Sequence, residues 1–357
     1  MLIRLPEALR QDESGTYDRD IYKLNLAIVE ALIKREDVAI EPADEAALGV
    51  DLDKDGMLGT ATLIRYDWAP LEGRTMTYVG RGKALLANGE LHLAAGLYPE
   101  GTAFLHSVRY VSTDADGNAT LTPRMKELRY GKKLRWVNYS TLDGIVRADE
   151  NEKWAFPDRL RQLAGDAEHG MSNGQGWVYQ GFIEDGDGRL RPQSYEETAF
   201  CIGCHGILGG TTDTTFAFPR KLDAEHPQRG WFHWSQHSLR GVPEPRTAEG
   251  DYEYTRYLRE NGAGDEFRAN AEVRSRFFNL DGSLRDASVE ALHRDLAVLL
   301  YPSPRRALTL NKAYRTIVEE QSFIRGRDAI VRPPLNVHWF VPTGEPTGIE
   351  APADNNH

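Results

Sequence analysis

The stretch GTAFLHSVRYV, Gly101 to Val111, places Phe104, Val108 and Tyr110 at alternate positions around His106. A period of two is the mark of a half-buried β-strand. Working outward, similar short runs stand at 60–66 (TATLIRY), 74–80 (RTMTYVG), 132–140 (KKLRWVNYS) and 176–183 (GWVYQGFI), with the turn-forming ANGE, DADGN and DGDG among them. The pattern predicts an antiparallel sheet with polar hairpins between Asp51 and Phe182. A helical segment around WAFPDRLRQLAG, residues 154–165, interrupts it just before the glycine-rich loop HGMSNGQG.

On either side the period changes. Ile21, Leu24, Ile28 and Leu32, joined by Val29 and Ile33, repeat at helical spacing behind Asp18 and Asp20 as caps, which predicts one helix of about four turns. Further helices are expected at 251–262 (DYEYTRYLRENG), closed by Gly262, at 288–300 (SVEALHRDLAVLL), stopped near Pro302, and at 308–322 (LTLNKAYRTIVEEQS). Residues 206–250 have much Gly, Pro and aromatic content but little periodicity, and the tail GEPTGIEAPADNNH reads as disordered. The expected fold class is α+β. A helical segment covers 1–50, an antiparallel β-sheet domain 51–215, and a mainly helical extension 216–357 packs on that domain.

With 357 residues, 40% of them hydrophobic and 27% charged, the chain has the composition of a folded globular protein with room for a core around a cofactor. A net charge of −11 argues against nucleic acid or an anionic membrane as the main partner. The basic run Lys126 to Arg135 is read as a solvated strand face. No stretch approaches the roughly 20 apolar residues that span a bilayer, and MLIRLPEALRQDESG lacks the apolar core of a signal peptide. Nucleotide-enzyme and hydrolase readings have little support, because there is no phosphate-binding glycine loop after a strand, no G-x-S-x-G and no H-E-x-x-H.

The sharpest motif is FCIGCHG, Phe200 to Gly206, which holds both of the chain's cysteines. On one helical turn Cys201, Cys204 and His205 face the same side, so two thiolates can add to two haem vinyls while the imidazole reaches the iron. A zinc site of this kind wants a second pair of ligands, and a redox pair wants a preceding β-α context. The motif therefore predicts one covalent haem c and excludes a disulfide framework. Haem attachment to such a site follows export, so a periplasmic or otherwise exported location is expected, with the export signal trimmed from the chain. For the sixth iron position, Met57, Met76, Met125, Met171 and nine other histidines are nominal candidates. His106 stands out on its strand, and His233 and His237, four apart, can share a helical face.

A second metal candidate is DLDKDGMLG, Asp51 to Gly59, with Asp51, Asp53 and Asp55 at positions 1, 3 and 5 of an EF-hand-like loop and Gly56 at position 6. Position 12 is Thr62 rather than the usual Glu. Calcium and a tight turn before a strand are both open there.

Taken together, GLYPEGTAFLHSVRY, GQGWVYQGF and FCIGCHG resemble the cytochrome P-460 family and its relatives, the beta-type cytochromes c-prime, over roughly residues 60–215. The resemblance implies a mainly antiparallel sheet, with Cys201 and Cys204 as thioether cysteines and His205 as proximal ligand. It also implies aromatic cover of the haem by Trp177, Tyr179 and Phe182. The position of the family's crosslinking lysine is taken by His106, which implies a histidine at the haem edge or distal face in place of that crosslink. The functional expectation is a mono-haem protein, an oxidoreductase or binder of a nitrogen oxide, hydroxylamine or peroxide, with His106 as catalytic proton donor. The alternative is an electron-transfer protein with a six-coordinate haem. Expected partners are a small ligand and a redox protein, and a homodimer is open.

Overall fold

The computed structural model describes residues 2–156, 162–199, 240–244, 246, 250–261 and 270–323. Within them the chain is an α+β fold built on a seven-stranded antiparallel sheet beside a two-stranded one.

The expected first helix is α1 (Arg19–Lys34), after β1 (Leu2–Arg4). The Asp18 carboxylate caps it by accepting from the Asp20 and Ile21 N–H groups at 2.7 and 3.0 Å. Its buried stripe of Ile21, Leu24, Ile28 and Leu32 faces the main core. A small ribbon follows, in which β2 (Val38–Asp44) and β3 (Thr60–Ile64) pair around α2 (Glu45–Leu48). The stretch 74–80 departs from expectation. It forms no strand ladder, because Asn25 on α1 takes the place of a neighbouring strand. The Asn25 side chain accepts from Val79 N at 2.9 Å and donates to Val79 O at 3.2 Å and Leu9 O at 3.1 Å. Helix α3 (Arg81–Ala87) comes next.

The main sheet adds β4 (Ala103–Thr113), β5 (Ala119–Lys133), β6 (Gly165–Asp166), β7 (Gly170–Ser172), β8 (Trp177–Glu184) and β9 (Leu190–Pro192). Its order among the described residues is β1-β4-β5-β8-β7-β6, with β9 also on β8, and every pairing is antiparallel. KKLRWVNYS only ends β5 and then turns, because the Asn138 side chain accepts from Thr141 N at 2.9 Å and caps α4 (Tyr139–Ala155). That helix lies earlier than the segment expected at 154–165. It stops at Ala155, where Phe156, preceding Pro157, leaves the helical conformation. Residues 157–161 lie outside the described residues.

After β9 a short helix, α5, covers residues 195–199. The C-terminal helices are α6 (Glu253–Asn261), α7 (Ala271–Phe277), α8 (Asp286–Arg294), α9 (Ala297–Leu300) and α10 (Pro304–Glu320). The helix expected at 288–300 is two, because Asp295 is extended and its carboxylate accepts from Ala297 N at 2.9 Å. Helix α10 starts before Leu308, since Ser303 caps it and Pro304 fits its first turn. Leu258, Val273, Phe277, Leu292, Leu296 and Leu299 form a core of their own. Tyr314, Ile317 and Val318 of α10 pack with Tyr110 of β4, and Asn311 Nδ2 donates to Val111 O at 2.6 Å.

Candidate functional site

Strand register decides which side chains share a face, since directly paired residues project to the same side of a sheet and neighbours along a strand alternate. Across β4, β5 and β8, Phe104 pairs with Gly131 and Gly131 with Tyr179, and His106 pairs with Arg129 and Arg129 with Gly181. Lys133 pairs with Trp177 and donates its N–H to Thr102 O at 2.9 Å. His106, Trp177 and Tyr179 therefore occupy one face. Phe182, paired with Leu128 and Pro192, falls on the other, so the three aromatics do not form a single wall.

The shared face is apolar at one end. Tyr98 meets Phe104 edge-on at 5.0 Å and Trp177 at 6.1 Å, and Trp177 lies nearly parallel to Tyr179 at 6.3 Å. Trp177 and Tyr179 are buried, with Met171 beside them. Towards His106 the face becomes polar: Arg129 Nε donates to Glu127 Oε2 at 2.6 Å, and this Glu127 is itself buried. The run Lys126 to Arg135 is thus not a wholly solvated face, because Lys133 is fully buried in it.

The chain that leads to Cys201 is fixed to this face. Gln193 lies over Gly181, where a Cβ would stand 1.9 Å from Gln193 Oε1. Ser194 and Glu197 then form a reciprocal capping box for α5: Ser194 N donates to Glu197 Oε2 at 2.8 Å and Glu197 N to Ser194 Oγ at 3.3 Å. Arg191 binds both Glu197 oxygens at 2.8 Å. Burial pushes the Glu197 pKa up, but the Arg191 and Ser194 bonds outweigh it and hold the carboxyl below the ordinary range. Ala199 packs on the core that contains Trp177 and Tyr179, two residues before Cys201. Cys201, Cys204, His205, His233 and His237 lie outside the described residues. The S-x-x-E spacing from Ser194 to Glu197 marks this helix start in the sequence, although no helix was expected there.

The acidic loop forms a compact cluster, with a member that spacing did not single out. Gly56 N donates to Asp51 Oδ2 at 3.1 Å, Asp55 N to Asp53 Oδ1 at 3.2 Å and Met57 N to Asp55 Oδ1 at 2.8 Å. Glu45 on α2, 1% exposed, accepts from Leu52 N at 2.6 Å, Asp53 N at 3.3 Å and Gly59 N at 2.9 Å. One ligand oxygen from each of Glu45, Asp51 and Asp53 lies within 4.8 Å of the others, and Asp51 Oδ1 is buried without a hydrogen-bond partner. Asp55 is not one of the three. Glu45 thus brings in from α2 a carboxylate that Thr62 does not provide.

Comparison with known proteins gives the chain its family. A family model described as a lipoprotein matches residues 1–293. An uncharacterized lipoprotein of Aquifex aeolicus (strain VF5) is 29% identical over 367 residues, covering 91% of this chain and 56% of the relative, so the chain spans little more than half of that relative's length. No solved structure matches. The match runs through the whole stretch that resembles cytochrome P-460 and assigns it elsewhere, so that resemblance, and the cytochrome classification drawn from it, is corrected. No described helix is long and apolar enough to cross a membrane.

Proposed function

This chain belongs to that lipoprotein family, and from that premise we propose that it is an exported, periplasmic protein bearing one covalent c-type haem on Cys201, Cys204 and His205. The observation that carries the reading is the C-x-x-C-H sequence that begins two residues after Ala199 of α5, which packs on the main core that includes Trp177 and Tyr179. The residues there suit a haem. They offer buried aromatics, a histidine on the same face, and a buried amide donor, Gln175 Nε2, with no acceptor. Bound haem supplies an iron that takes up a small ligand or passes an electron.

The chain's own contributions follow from its geometry. The capping box and the Arg191–Glu197 pair set where α5 begins. Trp177 and Tyr179 exclude water from their end of the face. His106 holds or releases a proton at its imidazole, which suits a nitrogen-oxide or peroxide-type ligand, with electrons exchanged with a redox partner protein. A second reading uses the same placement of His106, as sixth ligand to an iron that only transfers electrons.

Absorption spectra of ferric and ferrous protein with carbon monoxide or nitric oxide separate the two. A five-coordinate spectrum that shifts with either gas is expected, with a further change in His106→Ala. A low-spin spectrum unmoved by both gases contradicts ligand chemistry.

We also propose calcium at Glu45, Asp51 and Asp53, a hard oxygen donor set. Calorimetric titration of the full chain is expected to show saturable binding that Asp51→Asn abolishes. No heat and no calcium-dependent rise in Tm would exclude it.

A further inference from the structure

The acidic loop has a rigid base and a free apolar tip. Val50 and Leu52, on either side of Asp51, are buried in the main core and fix the base. Lys54 to Gly59 are all exposed. The chain turns there through Gly56 at φ 88°, where an added Cβ would meet nothing within 4 Å. Met57 and Leu58 follow directly, 67% and 52% exposed. Apolar side chains scattered singly over a surface need no explanation, but these two are adjacent and share one short loop with the carboxylate cluster.

The cluster indicates what covers them. Glu45, Asp51 and Asp53 offer a cation three oxygens within 4.8 Å of one another, whereas calcium takes roughly six to eight. Asp51 Oδ1 is buried with no hydrogen-bond partner, and each Glu45 oxygen that accepts a backbone N–H keeps a second lone pair. The ion therefore has positions left for hard oxygen donors from outside these three side chains. A phospholipid supplies both requirements at once, phosphate oxygens for the ion and hydrocarbon for Met57 and Leu58.

Charge makes the contact conditional. Without a cation, Glu45, Asp51, Asp53 and Asp55 outweigh Lys54, and the loop, like the chain with its net charge of −11, is repelled by an anionic surface. A bound divalent ion removes that repulsion where the apolar tip stands. The chain also belongs to a lipoprotein family, and a lipoprotein works beside a membrane.

We infer that this loop is a calcium-dependent membrane contact. The ion held by Glu45, Asp51 and Asp53 takes phosphate oxygens of an anionic phospholipid, while Met57 and Leu58 enter the interfacial layer. The inference rests on the calcium reading and adds to it a partner, a lipid surface.

The test sediments the full chain, free of any attached lipid, with vesicles of phosphatidylcholine alone or mixed with phosphatidylglycerol. Each is run in calcium, magnesium or chelator, beside a calorimetric calcium titration without vesicles. Wild type is expected to pellet with phosphatidylglycerol in calcium, and to stay in the supernatant in magnesium or chelator. A variant carrying Met57→Ser and Leu58→Ser, changed only at exposed positions, is expected to keep the calcium titration and to lose about tenfold or more in vesicle affinity. Asp51→Asn is expected to lose both. Wild type that titrates with calcium yet stays in the supernatant, or a double variant that pellets as fully as wild type, overturns this inference and leaves the calcium reading standing. Pelleting that survives chelator, or that is equal without phosphatidylglycerol, overturns it as well. A wild-type chain that shows no calcium heat overturns both.

Discussion

Asn25 and Gly181 are two residues on which much of the neighbouring structure depends. Asn25 is fully buried and makes three hydrogen bonds to the backbone of Leu9 and Val79. Replacing it by Ala leaves those groups buried and unmet, at an expected cost of ~1–3 kcal/mol, read as a lower urea midpoint. Gly181→Ala would set a Cβ 1.9 Å from Gln193 Oε1 and 2.6 Å from its Cδ. Gln193 must then leave the face, and an expected loss of ~1–3 kcal/mol is measurable in the same way. Neither role was readable in the sequence. Asn25 sits in an amphipathic repeat where a polar residue looks solvated, and its partner Val79 lies 54 positions away. Gly181 resembles any strand glycine until its neighbour is known. Phe182 shows the opposite case, since strict alternation from Trp177 already separates it from Tyr179.

Among the elements, those with one strong period were the legible ones. The strands around His106 and Trp177 formed where alternation placed them, and α1 formed behind Asp18. Asp18→Ala is expected to cost about 1 kcal/mol, detectable by thermal unfolding, since it removes the acceptor for two helix N–H groups. Segments whose backbone bonds go to distant side chains were not legible, as at 74–80, and neither was the break at Asp295, where a capping carboxylate interrupts an apolar run. Helix α5 offers a pH test. The Glu197 carboxyl lies below its ordinary range in the folded chain, so its contribution is present above the ordinary carboxylate range and is lost as pH falls through the folded value. Arg191→Met removes the guanidinium that sustains this. The expected result is a lower urea midpoint than wild type near neutral pH, with the gap closing in acid. A gap that persists in acid would show that Arg191 acts through packing instead.

At the scale of the whole molecule, the α+β class was legible because the alternating centre and the helical flanks differ in period. The family was not, because one sharp motif inside a β-rich stretch carried the resemblance, and a motif of five residues is shared by unrelated folds. Membership of a lipoprotein family fits an exported protein. Gln193 over Gly181 and Ala199 on the main core tie the chain after β9 and α5 to the sheet that carries His106 and Trp177. The most direct test is to produce the full chain with export and haem attachment, denature it in acid and organic solvent, and record its mass and visible absorbance. Thioether attachment predicts haem that stays with the polypeptide, and haem that is lost when Cys201 and Cys204 are both replaced by Ala. Haem that extracts into the solvent from the unaltered chain, or a chain that emerges without haem, would contradict it.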